Sequence, residues 1–251
     1  MTRIVVVGGT GRIGTRVVDL LRAEGKTVAV ASRATGVDLV RGDGLRDVIS
    51  GADVVIDVSK TDSTDPHEVS EFFSRAGENL ASAERAAGVG HHIMLSIVGT
   101  SRATAVPFYA AKAGLERAVT MSGVPYTILQ ATQFFEFADG IALSGFDPHT
   151  DTVRLPPVLV QPIAGADVAA ALAVLASAPP RMGESELAGP EKFELDDFVR
   201  IVLDRGGRRH EIVRDPDGRY FGGLLDRDAL LPGADARLAP TRLADWLSSG
   251  A

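Results

Sequence analysis

The stretch VPFYAAKAGLERAV, residues 106–119, holds side chains suited to proton transfer. A tyrosine four residues before a lysine puts a phenol and an ammonium one helical turn apart, within reach of one substrate carbonyl. Here Phe108 stands four before Lys112, and the tyrosine is its neighbour, Tyr109. On a helical wheel Phe108, Ala111, Leu115, Ala118 and Val119 form the apolar stripe. Lys112 then lies roughly 70° from its centre, Glu116 about 110° and Tyr109 about 130°. This expects Lys112 on the shoulder of a buried face, lining a cleft, and Tyr109 towards solvent. Phe108 has no proton to give. A shoulder lysine can hold sugar hydroxyls, or exchange a proton if the cleft lowers its pKa. It can equally pack its stem and leave its ammonium in water.

The elements around that helix alternate. Apolar runs at 3–8, 26–32, 52–59, 91–98 and 125–131 read as strands, with a weaker one near VDLVRGD. Helices fit at about 11–24, 44–50, 69–87 and 107–122. The strands lack polar alternation, as expected when both faces are buried. The fold class is therefore α/β: a Rossmann-type doubly wound parallel sheet, with ligands at the carboxyl ends of its strands. After about residue 145 the chain turns rich in Pro, Asp and Gly. It reads as a loop with short strands, a helix at about 165–177, a strand–turn–helix, and a last helix at TRLADWLSS. The expected domains are 1–145 and a smaller C-terminal substrate-binding region, 146–251.

VVVGGTGRIGTRVV places Gly8, Gly11 and Gly14 at the first strand-to-helix junction, and Gly9, Gly11 and Gly14 fit the same spacing. Such glycines allow a tight turn, approach of backbone N–H groups to a pyrophosphate, and close helix–strand packing. A dinucleotide is the expected ligand, with Arg12 and Ile13 inside the loop. NAD-binding folds usually follow the second strand with an acid for the ribose 2′-hydroxyl. Here Arg33 follows it, which suits a 2′-phosphate, and Arg12 can reach the same group. The expected cofactor is NADP(H), with NAD(H) second. Asp43 can accept from the adenine amino group or serve as a cap or turn residue.

Composition narrows the rest. The chain has 251 residues, 45% hydrophobic and 24% charged, with net charge −7. That suits a soluble globular protein and argues against a nucleic-acid-binding face. With no cysteine there is no disulfide, thiolate metal site or cysteine nucleophile. The apolar N-terminal run is too short for a membrane span and lacks a signal-peptide layout, so a cytoplasmic protein is expected. His91 and His92 begin a strand and face opposite ways, which fits a structural role better than a metal site. His67 and His149 are expected in loops near a cleft mouth, and no metal is expected. The acids of DPD and ELDDF read as turns and caps.

Four segments together resemble the NmrA-like group of atypical short-chain dehydrogenase/reductases. They are GGTGRIG, HHIMLSIVGT, PFYAAKAGLERAV with SGVPYTILQATQFFEF, and QPIAGADVAAAL with ELAGPE. The resemblance implies that Gly8, Gly11 and Gly14 hold the pyrophosphate, and that Asp57, Val58 and Ser59 pass beside the adenosine and ribose. It implies that Ser96 polarises a carbonyl and that Lys112 is the active-site lysine. It leads Gln130 to Gln133 towards the nicotinamide and lets Phe134 and Phe135 wall a substrate cleft, with packing in the core as the alternative for both aromatics. Members with the tyrosine carry it at the place of Phe108, so the usual proton donor is missing. The expectation is an NADPH-dependent oxidoreductase for a small hydrophobic carbonyl or quinone-like substrate, a monomer or homodimer without nucleic-acid or membrane partners. An NADP(H)-sensing regulator is the alternative, and a lysine-assisted isomerase or cyclase a third.

Overall fold

A computed structural model describes residues 2–207 and 210–250. The alternation runs β1 (Arg3–Val7), α1 (Arg12–Ala23), β2 (Thr27–Ala31), α2 (Leu45–Ile49), β3 (Val54–Asp57), α3 (Pro66–Ala87), β4 (His91–Ile97), α4 (Pro107–Met121) and β5 (Tyr126–Ala131). Then follow α5 (Ala138–Ser144), β6 (Phe146–Asp147), β7 (Thr152–Leu155), β8 (Leu159–Val160) and α6 (Gly165–Leu175). The rest is β9 (Gly183–Ala188), β10 (Phe193–Glu194), α7 (Leu195–Arg205), β11 (Glu211–Arg214), β12 (Arg237–Leu238) and α8 (Leu243–Ser248).

Seven strands join in the order β12-β9-β5-β4-β3-β1-β2. β1 pairs in parallel with both β2 and β3, Ile4 lying opposite Val28 and Val54, and β3 pairs in parallel with β4. This is the Rossmann-type doubly wound sheet. The strand order reverses between β1 and β3, and ligands of such sheets gather at that switch point.

The weak strand near VDLVRGD does not form. Asp38 Oδ1 accepts the N–H groups of Val40 and Arg41, and Gly42 has φ +78, so the segment curls into a turn. α3 begins three residues before its expected start. Asp65 Oδ1 accepts the N–H groups of His67 and Glu68, with Pro66 in the first helical position. His67 is thus in a helical first turn, not a loop.

The chain divides into two compact units interleaved along the sequence. The first comprises Met1–Ser96, Ala111–Gln130 and Val168–Ser185; the second comprises Ile97–Ala110, Ala131–Asp167 and Glu186–Ala251. In the first, Val5, Val7, Leu45, Ile49, Val55 and Leu80 share one core. In the second, Leu155, Leu195, Phe198 and Tyr220 pack with Phe135. Its sheet runs β11-β7-β6, with β11 parallel and β6 antiparallel to β7.

The acids of ELDDF do more than open a helix. Asp196, 4% exposed, accepts Arg214 Nη2 at 2.8 Å and Nε at 3.1 Å, tying β11 to α7. Burying that carboxylate is tolerable because a guanidinium meets it. The DPD acids do form a turn, Asp215 Oδ1 accepting the Asp217 N–H at 3.0 Å.

Candidate functional site

The loop between β1 and α1 is built on main-chain contact. Gly8 has φ +77, and a Cβ there would lie 2.9 Å from Val58 O, so only a bare backbone lets this loop touch the segment leaving β3. A Cβ on Gly14 would lie 2.3 Å from Gly8 O and 2.6 Å from Gly9 Cα, which fixes how closely α1 seats on the loop. Gly11 is the N-cap of α1; no side chain caps the helix and no acid lies in its first turn. The helix therefore turns amide N–H groups and the positive end of its dipole towards the switch point. Ile13 is 8% exposed and anchors the turn from below, while Arg12 is exposed.

Arg33 opens a single 3-10 turn, Arg33–Thr35, directly after β2, and its side chain is exposed. Ser32 and Thr35 close that turn, the Ser32 N–H donating to Thr35 Oγ1 at 3.0 Å. Lys60, by hydrogen bond and charge, holds the Asp62 carboxyl below its ordinary pKa, with a smaller contribution from Arg33. Asp43 is exposed and ion-paired with Arg41 at 2.7 Å, and Gly44 rather than Asp43 caps α2. Asp57 ends β3 at 2% exposure, and its Oδ1 accepts the Ser59 N–H at 2.8 Å. Val58 is half-buried and donates its N–H to Val7 O at 3.0 Å. Ser59 Oγ is buried without a partner.

Lys112 departs from the helical-wheel expectation. The buried face of α4 carries Tyr109, Lys112, Ala113, Leu115, Glu116 and Val119, while Ala118 is exposed. That face is rotated by roughly a quarter turn from the apolar stripe. Lys112 is 5% exposed; its Nζ donates to Leu95 O at 3.0 Å and lies 4.8 Å from the centre of the Phe73 ring. Burial pulls its pKa down, opposed by the charges of Asp57 and Glu116. Glu116 Oε1 in turn accepts Gln130 Nε2 at 2.9 Å. Ser96, 3% exposed on β4, keeps its Oγ without a partner.

In the second unit Tyr109 is buried at 4% exposure, not turned to solvent. Its hydroxyl accepts Gln133 Nε2 at 2.9 Å, and its ring meets Tyr220 edge-on at 6.2 Å. Burial pushes its pKa up to about 12. Gln133 is 5% exposed and leaves its Oε1 without a partner. Phe134 is half-buried, bridged to Ile163. Phe135 cannot wall a cleft as it stands: at 1% exposure it packs against Trp246 at 5.5 Å and Phe198 at 6.4 Å. Its size and apolarity draw it into the core.

The sequence model of the NmrA-like family matches residues 1–146. The chain belongs to the NmrA-like family. It is similar to the photosystem II assembly factor Ycf39 of Cyanophora paradoxa, 29% identical over 147 residues, 53% of this chain and 46% of that one. Ycf39 of a Synechocystis species is 26% identical over 148 residues, 53% of this chain and 45% of that one. The chain thus spans about half the length of the curated relatives it matches. Among solved structures it resembles MoeE5 in complex with UDP-glucose and NAD, TM-score 0.75 and 18% identity over 98% of this chain and 96% of that one. It also resembles a Thermus thermophilus UDP-glucose 4-epimerase complex with NAD, TM-score 0.67 and 19% identity over 90% and 91%. These likenesses concern the fold.

Three features of this NmrA-like chain suit a dinucleotide. The first turn of α1 is uncapped, a Cβ on Gly11 would meet only Gly8 O, at 3.2 Å, and the Ser59 hydroxyl is unpaired. Among the described residues no helix is long and apolar enough to cross a membrane, and no group of three His, Asp or Glu could hold a metal. The motifs of this NmrA-like chain pointed to Lys112 but not to Phe73 beneath it or to the partners of His91 and His92. His91 lies against Thr127 Oγ1 at 2.8 Å, and burial drops its pKa to about 4. His92 lies against Glu84 at 2.6 Å. Those pairings span 36 and 8 residues and follow no motif.

Proposed function

We propose that this protein is an NADPH-dependent oxidoreductase that reduces a small hydrophobic carbonyl or quinone-like substrate without a tyrosine acid. The observation that carries the reading is the uncapped first turn of α1 at the switch point, with Gly8 laid against Val58. The N–H groups of Arg12, Ile13 and Gly14 hold the diphosphate. Arg33, with Arg12, takes the 2′-phosphate by charge-assisted hydrogen bonds. Asp57, Val58 and Ser59 lie along the adenosine and its ribose. The structural neighbours are complexes with NAD. The preference for NADPH rests on Arg33 and on the lack of an acid beside it.

When bound, the reduced nicotinamide supplies a hydride. Lys112 supplies positive charge and the accompanying proton, and Ser96 orients the accepting oxygen. A lysine whose pKa is lowered by burial yields its proton more readily than one in water. A quinone-like acceptor makes the least demand, because water can complete its protonation. Gln133 and Phe134 are the candidates for substrate contact. The same reading makes the protein a cytoplasmic monomer or homodimer.

Titration calorimetry with NADPH and NADH, followed by absorbance assays of NADPH consumption with quinones, aromatic ketones and UDP-glucose, tests the proposal. Heat with NADPH and turnover with a quinone or ketone support it; no heat with either coenzyme overturns it. A second reading, an NADP(H)-sensing regulator, draws on the enclosure of Ser96, Tyr109 and Lys112 at 3%, 4% and 5% exposure. It expects tight coenzyme binding, no turnover with any acceptor, and coenzyme-dependent association with a partner.

A further inference from the structure

Between the sheet and helices α3 and α4 of the first unit lies a chamber of about 10 Å³, lined by Asp57, Glu84, His92 and Ser122 among apolar side chains. That is about the least space that holds one water molecule. A Cβ on Gly77 would lie 2.6 Å from Leu115 Cδ1, so the missing side chain lets α3 and α4 close together beside the chamber.

Its polar lining is unusual for so dry a place. His92 and Glu84 are 3% and 1% exposed, and His92 Nδ1 meets Glu84 Oε1 at 2.6 Å. His92 Nε2 has no partner in the protein. Asp57 uses Oδ1 for the Ser59 N–H. A buried polar nitrogen left bare is costly, whereas a bridging water satisfies it at little entropic cost.

We propose that one ordered water fills this chamber, accepting from His92 Nε2–H and donating to the Asp57 carboxylate, so that Glu84 and His92 form a proton-holding pair behind Lys112. The groups facing His92 are Glu84 from α3, Asp57 from β3 and Lys112 from α4, with His91 beside it on its own strand. Burial opposes the imidazolium most strongly, but the charge and hydrogen bond of Glu84, with the charge of Asp57, raise its pKa above the ordinary value. His91, facing the other way, is held neutral.

The service of this pair to Lys112 rests on the oxidoreductase reading; the pair and its water do not. The pair's bearing on Lys112 is electrostatic: the charges of His92 and Lys112 oppose each other, and Asp57 supports both. Glu84 and His92 are positioning residues in this scheme, since neither touches substrate.

Nitrogen-15 spectra of the histidine side chains in the full coenzyme-free chain test the pair directly. Both His92 ring nitrogens should carry protons at pH 6 and lose one only on the alkaline side of 6.5, with a through-space signal from Nε2–H to water. E84Q should move the loss of that proton to lower pH. In turnover assays E84Q, by lowering the His92 pKa and so removing a like charge facing Lys112, should shift the alkaline limb of kcat to higher pH and leave the NADPH Kd unchanged. A wild-type His92 that loses its proton below 6.5, or no contact of its Nε2–H with water, overturns the proposal without any variant having to fold. An E84Q pH profile that overlays the wild type overturns the coupling to Lys112. Absence of turnover with any acceptor removes the oxidoreductase reading instead, and the His92 spectrum still decides the pair.

Discussion

Lys112 and Tyr109 lie three residues apart on α4, yet each is buried in a different kind of polar company. Lys112, in the first unit, is set among charges and polarisable groups: Asp57, Glu116, the Leu95 carbonyl and the Phe73 face. Tyr109, in the second, meets only neutral partners, the Gln133 amide and the Tyr220 phenol. Low polarity around an ionisable group penalises its charged form unless opposite charge is supplied. The charges of two carboxylates offset part of that penalty for lysine, whereas only the neutral hydrogen bonds of Gln133 and Tyr220 oppose it for the phenol, which is pushed up to about 12. Burial therefore separates a group kept able to exchange a proton from one locked in its neutral form.

The largest effect should come from Lys112→Ala, which leaves Asp57 and Glu116 buried without the ammonium. Removing one partner of a buried charge set costs about 3–5 kcal/mol. Urea denaturation reads it directly, and a loss no larger than that of Tyr109→Phe would break the contrast between the two clusters. Gly14→Ala forces a Cβ to within 2.3 Å of Gly8 O and should cost about 1–3 kcal/mol, with loss of coenzyme heat in calorimetry. Tyr109→Phe strands the Gln133 amide and should cost about 1–2 kcal/mol. If the variant also stopped NADPH consumption, the phenol would be the acid after all.

The histidines sharpen the same point through pH. The folded-state pKa of His91 is about 4, below its ordinary 6.5, so the unfolded chain takes up that proton first as pH falls. The stability due to the neutral ring is complete above about 6.5 and is lost as pH falls towards 4. Tm measured across that interval should decline less in His91→Gln. His92 has the opposite sign: its raised pKa makes its contribution complete below 6.5 and lost as pH rises through the folded value. The smallest change in stability, within about 0.5 kcal/mol, belongs to exposed Arg33→Ala. It should nevertheless weaken NADPH about tenfold and leave NADH unchanged by calorimetry.

Much of the first unit was legible because its determinants are local. β1 needs a short apolar run, and the turn after it needs glycines where Gly8 and Gly14 have no room for a Cβ. The start of α3 was legible too, in Asp65 and Pro66, and was missed only by following the apolar period instead of the cap. The weak strand near VDLVRGD was misread because the Asp38 turn competes with strand pairing over the same residues. The face of α4 escaped the sequence for a different reason. Apolar periodicity assigns Lys112 and Glu116 to the edge, whereas paired charges let both enter the interior. Phe135 illustrates the converse, an aromatic residue beside a site motif that went to the core.

By itself, then, the sequence determined the alternating α/β order, the glycine turn and the arginine after β2, since each depends on residues close together in the chain. Tertiary structure decided which charges are buried together. Glu84 and His92, and Lys112 with Asp57, belong to separate helices and strands, and their protonation depends on the shared loss of water around them. No pattern along the chain encodes that loss, because it arises only when the sheet and helices close over the same volume.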